Sequence, residues 1–136
     1  MTEKSYHLEI VTPKKIVLST SVVSFTAPGV MGGFQVLKNH APLLAATTVG
    51  LVKVVNENGN ETRYATSGGF VEVRDNKVVM LAETAEQADQ IDVKRAESAR
   101  DRAEKRLAEK GVENDIERAR ASLHRALNRL KVAQAK

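Results

Sequence analysis

Cysteine and tryptophan are absent from the 136 residues, and aromatic residues of all kinds make up only 4%. A disulfide framework and a cysteine-ligated zinc site are therefore excluded. His7, His40 and His124, the three histidines, are widely separated and share no spacing. They fit surface or structural roles better than a metal or catalytic set. No apolar run approaches the roughly 20 residues of a membrane-spanning helix; Val49 to Val55, among the longest, is broken by Lys53. Met1 to Tyr6 lacks the apolar stretch of a secretory signal. These absences lead to the expectation of a cytosolic protein.

Motifs of enzyme chemistry are missing as well. Ser67-Gly68-Gly69 lacks the G-x-S-x-G frame of a nucleophile elbow. Gly32-Gly33 is not followed by the Lys-Ser/Thr of a phosphate-cradling loop. The acidic residues of the first half are scattered, with no spacing that pairs two carboxylates. A non-catalytic protein is expected, with no required cofactor and no metal.

What is present comes in two halves that change near residue 88. All five aromatics (Tyr6, Phe25, Phe34, Tyr64, Phe70), all three prolines and every glycine except Gly111 lie before that point. Val, Thr and Ile dominate the first half, and Ala, Arg, Glu and Leu the second, a switch from strand-favouring to helix-favouring residues. The net charge of +4 divides unevenly: residues 1–89 carry 8 basic and 9 acidic residues, residues 90–136 carry 13 and 8. After Glu117 every charged side chain is basic, so the C-terminal part favours an anionic partner, with a solvated helix face as the plainer alternative.

In the first half Tyr6, Leu8 and Ile10 alternate with His7 and Glu9. Leu51 to Val55 leads into Asn58-Gly59, a hairpin signal in which both residues tolerate positive φ, and returns over Glu61 to Ala65. Phe70 to Val73 meets Asp75-Asn76 and returns over Lys77 to Leu81. Many short strands at close spacing, with no βαβ rhythm, predict an antiparallel β-sandwich or barrel over residues 1–87.

Residues 88–136 predict an antiparallel two-helix hairpin. The first helix is expected from about Asp92, as N-cap, to Glu109, with Gly111 ending it. Asn114 or Asp115 is expected to cap the second helix, which continues towards Gln134. Ala96, Ala99, Ala103 and Leu107 form the apolar stripe of the first helix; Ile116, Leu123, Leu127 and Leu130 fall on one face of the second. Arg118, Arg125, Arg129 and Lys136 line the side opposite those leucines. Packed antiparallel, the helices bring Arg95 and Arg102 towards Arg125 and Arg129. Guanidinium groups arranged that way suit a phosphate ligand, because arginine is always charged and presents a planar fork of donors; arginines on a solvated helix surface remain the alternative. The apolar stripe is thin, so the hairpin must lean on something else and is a candidate mobile element.

Several segments, taken in order, resemble the epsilon-subunit family of rotary ATP synthases. They are Val11-Thr12-Pro13, Asn39-His40-Ala41-Pro42-Leu43-Leu44, Ser67-Gly68-Gly69-Phe70-Val71-Glu72-Val73, Leu81 to Glu86, Ile91-Asp92-Val93-Lys94-Arg95-Ala96 and Arg125-Ala126-Leu127-Asn128-Arg129-Leu130. The resemblance runs over essentially the whole chain. It implies a β-sandwich that docks on the gamma subunit and the c-ring, and a hairpin that switches between compact and extended forms. The extended form reaches the alpha/beta hexamer and blocks ATP hydrolysis. It further implies that ATP acts as a regulatory ligand on Glu86, Ile91, Asp92, Arg95, Ala96, Arg102, Arg125 and Arg129, with the arginines on the phosphates and the Ile91-Asp92 region at the base. The implied location is peripheral, on the cytoplasmic face of the inner membrane, held there only through the complex. Two features depart from the family pattern: Lys38 stands where proline is usual, and the loop from Gly32 lacks its usual acidic residue.

Three other readings compete. A nucleic-acid-binding module would use the basic second helix, but the first helix alternates charges and no aromatic beyond Phe70 is available to stack a base; no nucleic-acid partner is expected. A structural adaptor whose hairpin only packs is the second. A small enzyme, for which no residue set is found, is the third.

Overall fold

A computed structural model describes residues 3–109 and 113–134. They fall into two compact units divided between Gln87 and Ala88.

The first unit contains nine strands: β1 (Tyr6–Val11), β2 (Ile16–Gly29), β3 (Gly32–Val36), β4 (Leu43–Thr47), β5 (Gly50–Asn56), β6 (Glu61–Thr66), β7 (Gly69–Arg74), β8 (Lys77–Ala82) and β9 (Ala85–Gln87). Their order is β1-β8-β7-β4-β2-β5-β6-β9, with β3 on β2 and β1 also paired to β2. The ring of pairings through β1, β8, β7, β4 and β2 closes one side, and β2, β5, β6 and β9 continue as the second sheet. The expected antiparallel sandwich is present, with one exception in direction: β1 runs parallel to β8. The N-terminal strand fills the gap between β2, its antiparallel hairpin partner, and β8, which already runs antiparallel to β7.

Strand β2 escapes a period-2 reading because it serves two sheets. Its buried residues are Val22, Phe25 and Ala27, a step of three and then of two. Opposite β5, Val22 pairs with Asn56 and Ser24 with Val55, so β2 advances two residues while β5 advances one. The extra residue, Val23, is a bulge. It shifts the inward phase and bends the strand, as bulges do at the corners of sandwiches. Val22, Phe25, Leu8, Ile10, Val36, Val52, Val71, Val78 and Met80 then form the fully buried centre. The Tyr6 hydroxyl, in this centre, donates to the carbonyl of Val36 and ties β1 to the end of β3. Burial pushes the Tyr6 phenol well above its ordinary range.

The turns refine the sequence expectations. At β5–β6 only Gly59 has positive φ; Asn58 does not. A three-residue loop therefore replaces a two-residue one. It is closed by Gly59 N donating to Asn56 O and by the Asn56 side chain accepting from the backbones of Asn58 and Asn60. At β7–β8, Asp75 and Asn76 both have positive φ, as the two-residue hairpin requires. Asn39 shares that conformation, and Asn39 and Asn76 join reciprocally: Asn39 N donates to Asn76 Oδ1 at 2.7 Å, and Asn76 Nδ2 to Asn39 Oδ1 at 3.0 Å. Gly69 is required for closeness, since a Cβ there would lie 1.8 Å from the carbonyl oxygen of Leu81.

The second unit opens with a 3-10 turn, Ala88–Gln90, followed by α1 (Val93–Ala108) and α2 (Glu113–Gln134). Asp92 is the N-cap of α1: its Oδ1 accepts from Arg95 N at 3.0 Å. Helix α2 already begins at Glu113, so Asn114 and Asp115 lie in its first turn and are not its cap. Gly111 and Lys136 lie outside the described residues. The two helices pack on each other. The short link from Glu109 to residue 112 cannot return along the roughly 24 Å of α1, so the pair is antiparallel.

Candidate functional site

The helix pair meshes through alanine. Ala96 and Ala103 are buried on α1, and Ala119, Ala126 and Ala133 on α2. Each set repeats every seven residues, and because α1 ends at Ala108 and α2 begins at Glu113, an antiparallel pair puts Ala96 nearest the level of Ala126 and Ala103 nearest that of Ala119. Small residues in both stripes let the axes approach closely. This corrects the leucine face expected for α2. Leu127 is 46% exposed, and Ile116, Leu123 and Leu130 are only half-buried. The leucines sit beside the contact; the alanines make it, because a tight antiparallel pair has no room for larger side chains at its centre.

This register fixes the arginines. At about 100° per residue, Arg95, Arg102 and Arg106 cluster roughly 90–100° to one side of the α1 alanine stripe, and Arg118, Arg125 and Arg129 are offset in the same sense from the α2 stripe. An antiparallel pair is related by a two-fold axis normal to its plane, which keeps equal offsets on the same side. Both sets therefore share one side of the hairpin. Arg95 lies at the level of residues 125–129, and Arg102 about 10 Å further along.

Arg95 and Arg102 are exposed, whereas Arg125 and Arg129 are half-buried, so this part of α2 is not the freely solvated face it would be as a surface stripe. Arg125 Nη2 donates to Ser122 Oγ at 3.2 Å, and Arg129 is engaged in the fold. Val132, on the same side of α2, is 1% exposed; nothing in the leucine pattern signals it. Ile91 is buried and Asp92 exposed beside the start of α1, with Ala96 one turn on. The second unit thus gathers Ile91, Asp92, Arg95, Ala96, Arg102, Arg125 and Arg129. Glu86 belongs to the first unit, on β9 opposite Ala65, half-buried and engaged.

The first unit carries a surface that sequence periodicity missed. Ala46, Phe70, Leu81, Val11 and Ile16 are successive cross-strand partners over β4, β7, β8, β1 and β2. Phe70, Leu81 and Ile16 are 55, 52 and 61% exposed. Leu44, one row over and opposite Glu72, is 71% exposed. Only the strand register shows that these residues, far apart in sequence, make one band.

Among the described residues no helix is long and apolar enough to cross a membrane, and no group of His, Asp or Glu has the arrangement of a metal site.

Comparison with known proteins agrees with both units. Residues 5–88 match the model of the ATP synthase delta/epsilon chain beta-sandwich domain, and residues 89–134 that of the delta/epsilon chain long alpha-helix domain. The ATP synthase epsilon chain of Desulforamulus reducens is 48% identical over 131 residues, covering 96% of this chain and 98% of the relative. That of Nitratidesulfovibrio vulgaris is 52% identical over 130 residues, covering 96% of each. A chain in the cryo-EM structure of the Euglena gracilis mitochondrial ATP synthase (OSCP/F1/c-ring, rotational state 1) superposes with a TM-score of 0.83 at 22% identity, covering 96% of this chain and 81% of that one, a likeness of fold. The alternation of the strands, the alanine-meshed hairpin and these matches over nearly the full length lead to one conclusion: the chain belongs to the ATP synthase delta/epsilon chain family.

Proposed function

We propose that the protein is a non-catalytic central-stalk subunit of a rotary ATP synthase. In this reading the sandwich joins the gamma subunit to the c-ring at the cytoplasmic face of the membrane. The hairpin is an ATP-responsive brake on hydrolysis by the alpha/beta hexamer. The observation that carries the sensing part is the shared arginine side of the hairpin, with Arg95, Arg125 and Arg129 near the level of the Asp92-capped start of α1 and Arg102 about 10 Å further along. A triphosphate bound there bridges both helices and therefore favours the closed pair over any state in which they separate. By linkage, ATP then depletes the inhibitory form in proportion to its preference for the closed one. The exposed apolar band of the first unit supports docking, since monomers seldom leave such rows uncovered.

Titration with MgATP, followed by backbone NMR, tests the sensing. Saturable shifts at residues 86–102 and 122–129 are expected, and their loss in the Arg125→Ala, Arg129→Ala double variant. Absence of shifts at millimolar MgATP refutes nucleotide sensing and favours the second reading, a rotor adaptor whose hairpin only packs. The docking part is read separately, from co-purification with the assembled synthase: Phe70→Lys and Leu81→Lys are expected to lower retention of the subunit.

A further inference from the structure

Of the asparagines in the chain, Asn58 alone is followed by glycine; the others precede His40, Glu57, Glu61, Lys77, Asp115 and Arg129. The difference is chemical. The side-chain carbonyl carbon of an asparagine lies within reach of the next residue's backbone nitrogen, and attack by that nitrogen closes a five-membered ring. A side chain on the attacking residue crowds the closure, and glycine has none.

The β5–β6 loop presents this pair to water. Asn58, Gly59 and Asn60 are exposed, and a Cβ placed on Gly59 would meet nothing within 4 Å. Among the described residues Asn58 is held by its backbone N–H, which donates to Asn56 Oδ1 at 2.9 Å, and not by its side chain. Asn39 and Asn76, in contrast, have their side chains tied to each other. The same loop also opposes the reaction. The nucleophile, Gly59 N, is occupied as a donor to Asn56 O at 3.0 Å. The Asn56 side chain fixes that geometry by accepting from the backbones of both Asn58 and Asn60. Ring closure requires the Gly59 peptide to lose its proton and turn, so these bonds must open first.

We propose that Asn58 is a site of spontaneous deamidation and that Asn56 sets its rate by holding the loop shut. Hydroxide removes the Gly59 amide proton, and the nitrogen attacks Asn58 Cγ. The Cγ–Nδ2 bond breaks, and ammonia leaves after taking a proton from water. Water then adds to either carbonyl of the succinimide, and the ring C–N bond at that carbonyl breaks. Opening at Cγ gives aspartate; opening at the backbone carbonyl gives isoaspartate, whose chain runs through Cγ. In sum a water is consumed and an ammonia released, with no change of oxidation state. The formal net charge falls from +4 to +3. Isoaspartate also adds a backbone carbon inside the loop, which removes the spacing that lets Asn56 Oδ1 reach residues 58 and 60 together, and it sets a carboxylate between Glu57 and Glu61.

Peptide mapping of the full chain aged at neutral to mildly alkaline pH, with aspartyl and isoaspartyl products separated, tests the proposal. Acid is expected at residue 58 ahead of every other asparagine. It should form at least about ten-fold more slowly than in the guanidinium-unfolded chain, because local opening limits the native rate. Asn56→Ala removes two hydrogen bonds from the loop and should speed conversion at least about five-fold. Amide exchange should quicken at Gly59 in that variant but not at Val52 or Val54. Asn58→Gln should abolish the acidic form, and tyrosine fluorescence checks that both variants fold. Earlier conversion at another asparagine, or none at Asn58 while the unfolded chain converts, overturns the site. Equal rates in the wild type and Asn56→Ala overturn the gate. Exchange that quickens at Val52 and Val54 as much as at Gly59 traces the acceleration to unfolding of the whole unit and overturns the gate as well.

Discussion

Replacing Ala126 by leucine places three extra carbons at the centre of the helix contact, at a residue with 0% exposure. Overpacking of this kind costs about 1–3 kcal/mol, and here the neighbouring alanine stripe offers no larger side chain that could move aside. The second unit spans 49 residues, Ala88 through Lys136. At about 2.1 cal/mol/K per residue its unfolding entropy is near 0.1 kcal/mol/K, so each kcal/mol lowers the midpoint by roughly 10 °C. The hairpin transition of Ala126→Leu is therefore expected about 10–30 °C lower. The assay is built into the sequence. Both tyrosines, Tyr6 and Tyr64, lie in the first unit, and there is no tryptophan. Tyrosine fluorescence thus follows the sandwich, while ellipticity at 222 nm follows the helices. The fluorescence midpoint should stay in place as the ellipticity midpoint falls. Leu127→Ala, at a half-exposed position, is the control and should cost under about 1 kcal/mol. If Leu127→Ala lowers the midpoint more than Ala126→Leu does, the leucines form the packed face and the alanine register is wrong.

Two further outcomes concern the sandwich. Tyr6 is a neutral acid whose folded-state affinity for its proton is raised by burial. Its contribution is fully present below the unfolded phenol's value near 10 and is lost as pH rises above it, because only the unfolded chain gives up the proton readily. Thermal scans between pH 8 and 11 should show the first unit weakening at the alkaline end, and Tyr6→Phe should flatten that slope; a slope unchanged in the variant refutes the assignment. The Asn39–Asn76 pair should show coupling of about 0.5–2 kcal/mol in a double-mutant cycle with glycine, which keeps positive φ available at both sites. Strictly additive urea midpoints would mean the reciprocal bonds contribute nothing.

The sequence was most legible where one physical signal acted alone. β1, β7 and β8 follow simple alternation because each presents one face to one core. The cap at Asp92 is local chemistry, and the end of α1 follows within a residue. Legibility failed where position depends on a distant partner. β2 looks aperiodic because Val23 bulges against β5. The loop at Gly59 is set by the side chain of Asn56, outside the two residues that signal a hairpin. Helix α2 has two candidate faces side by side, and hydrophobicity favours the leucines. Which one packs is decided by the small residues on α1. The arginines of the candidate site were named by motif, but their common side needed the alanine register. The band from Ala46 to Ile16 had no sequence signal, since its members come from five strands.

The parallel pairing of β1 with β8 has a consequence for synthesis. Leu8 waits for Val78, seventy residues later, and at about 5–20 residues per second that wait lasts roughly 4–14 s on the ribosome. β1 can pair early only with β2, whose own continuation is the uncharged stretch ending at Leu37. For those seconds the nascent chain holds an unfinished sheet, uncharged along β2 and β3 and without its closing strand, a condition that favours edge-to-edge aggregation. Slow translation through residues 40–82 would lengthen that window, so soluble yield should depend on codon speed there more than over the helices that follow.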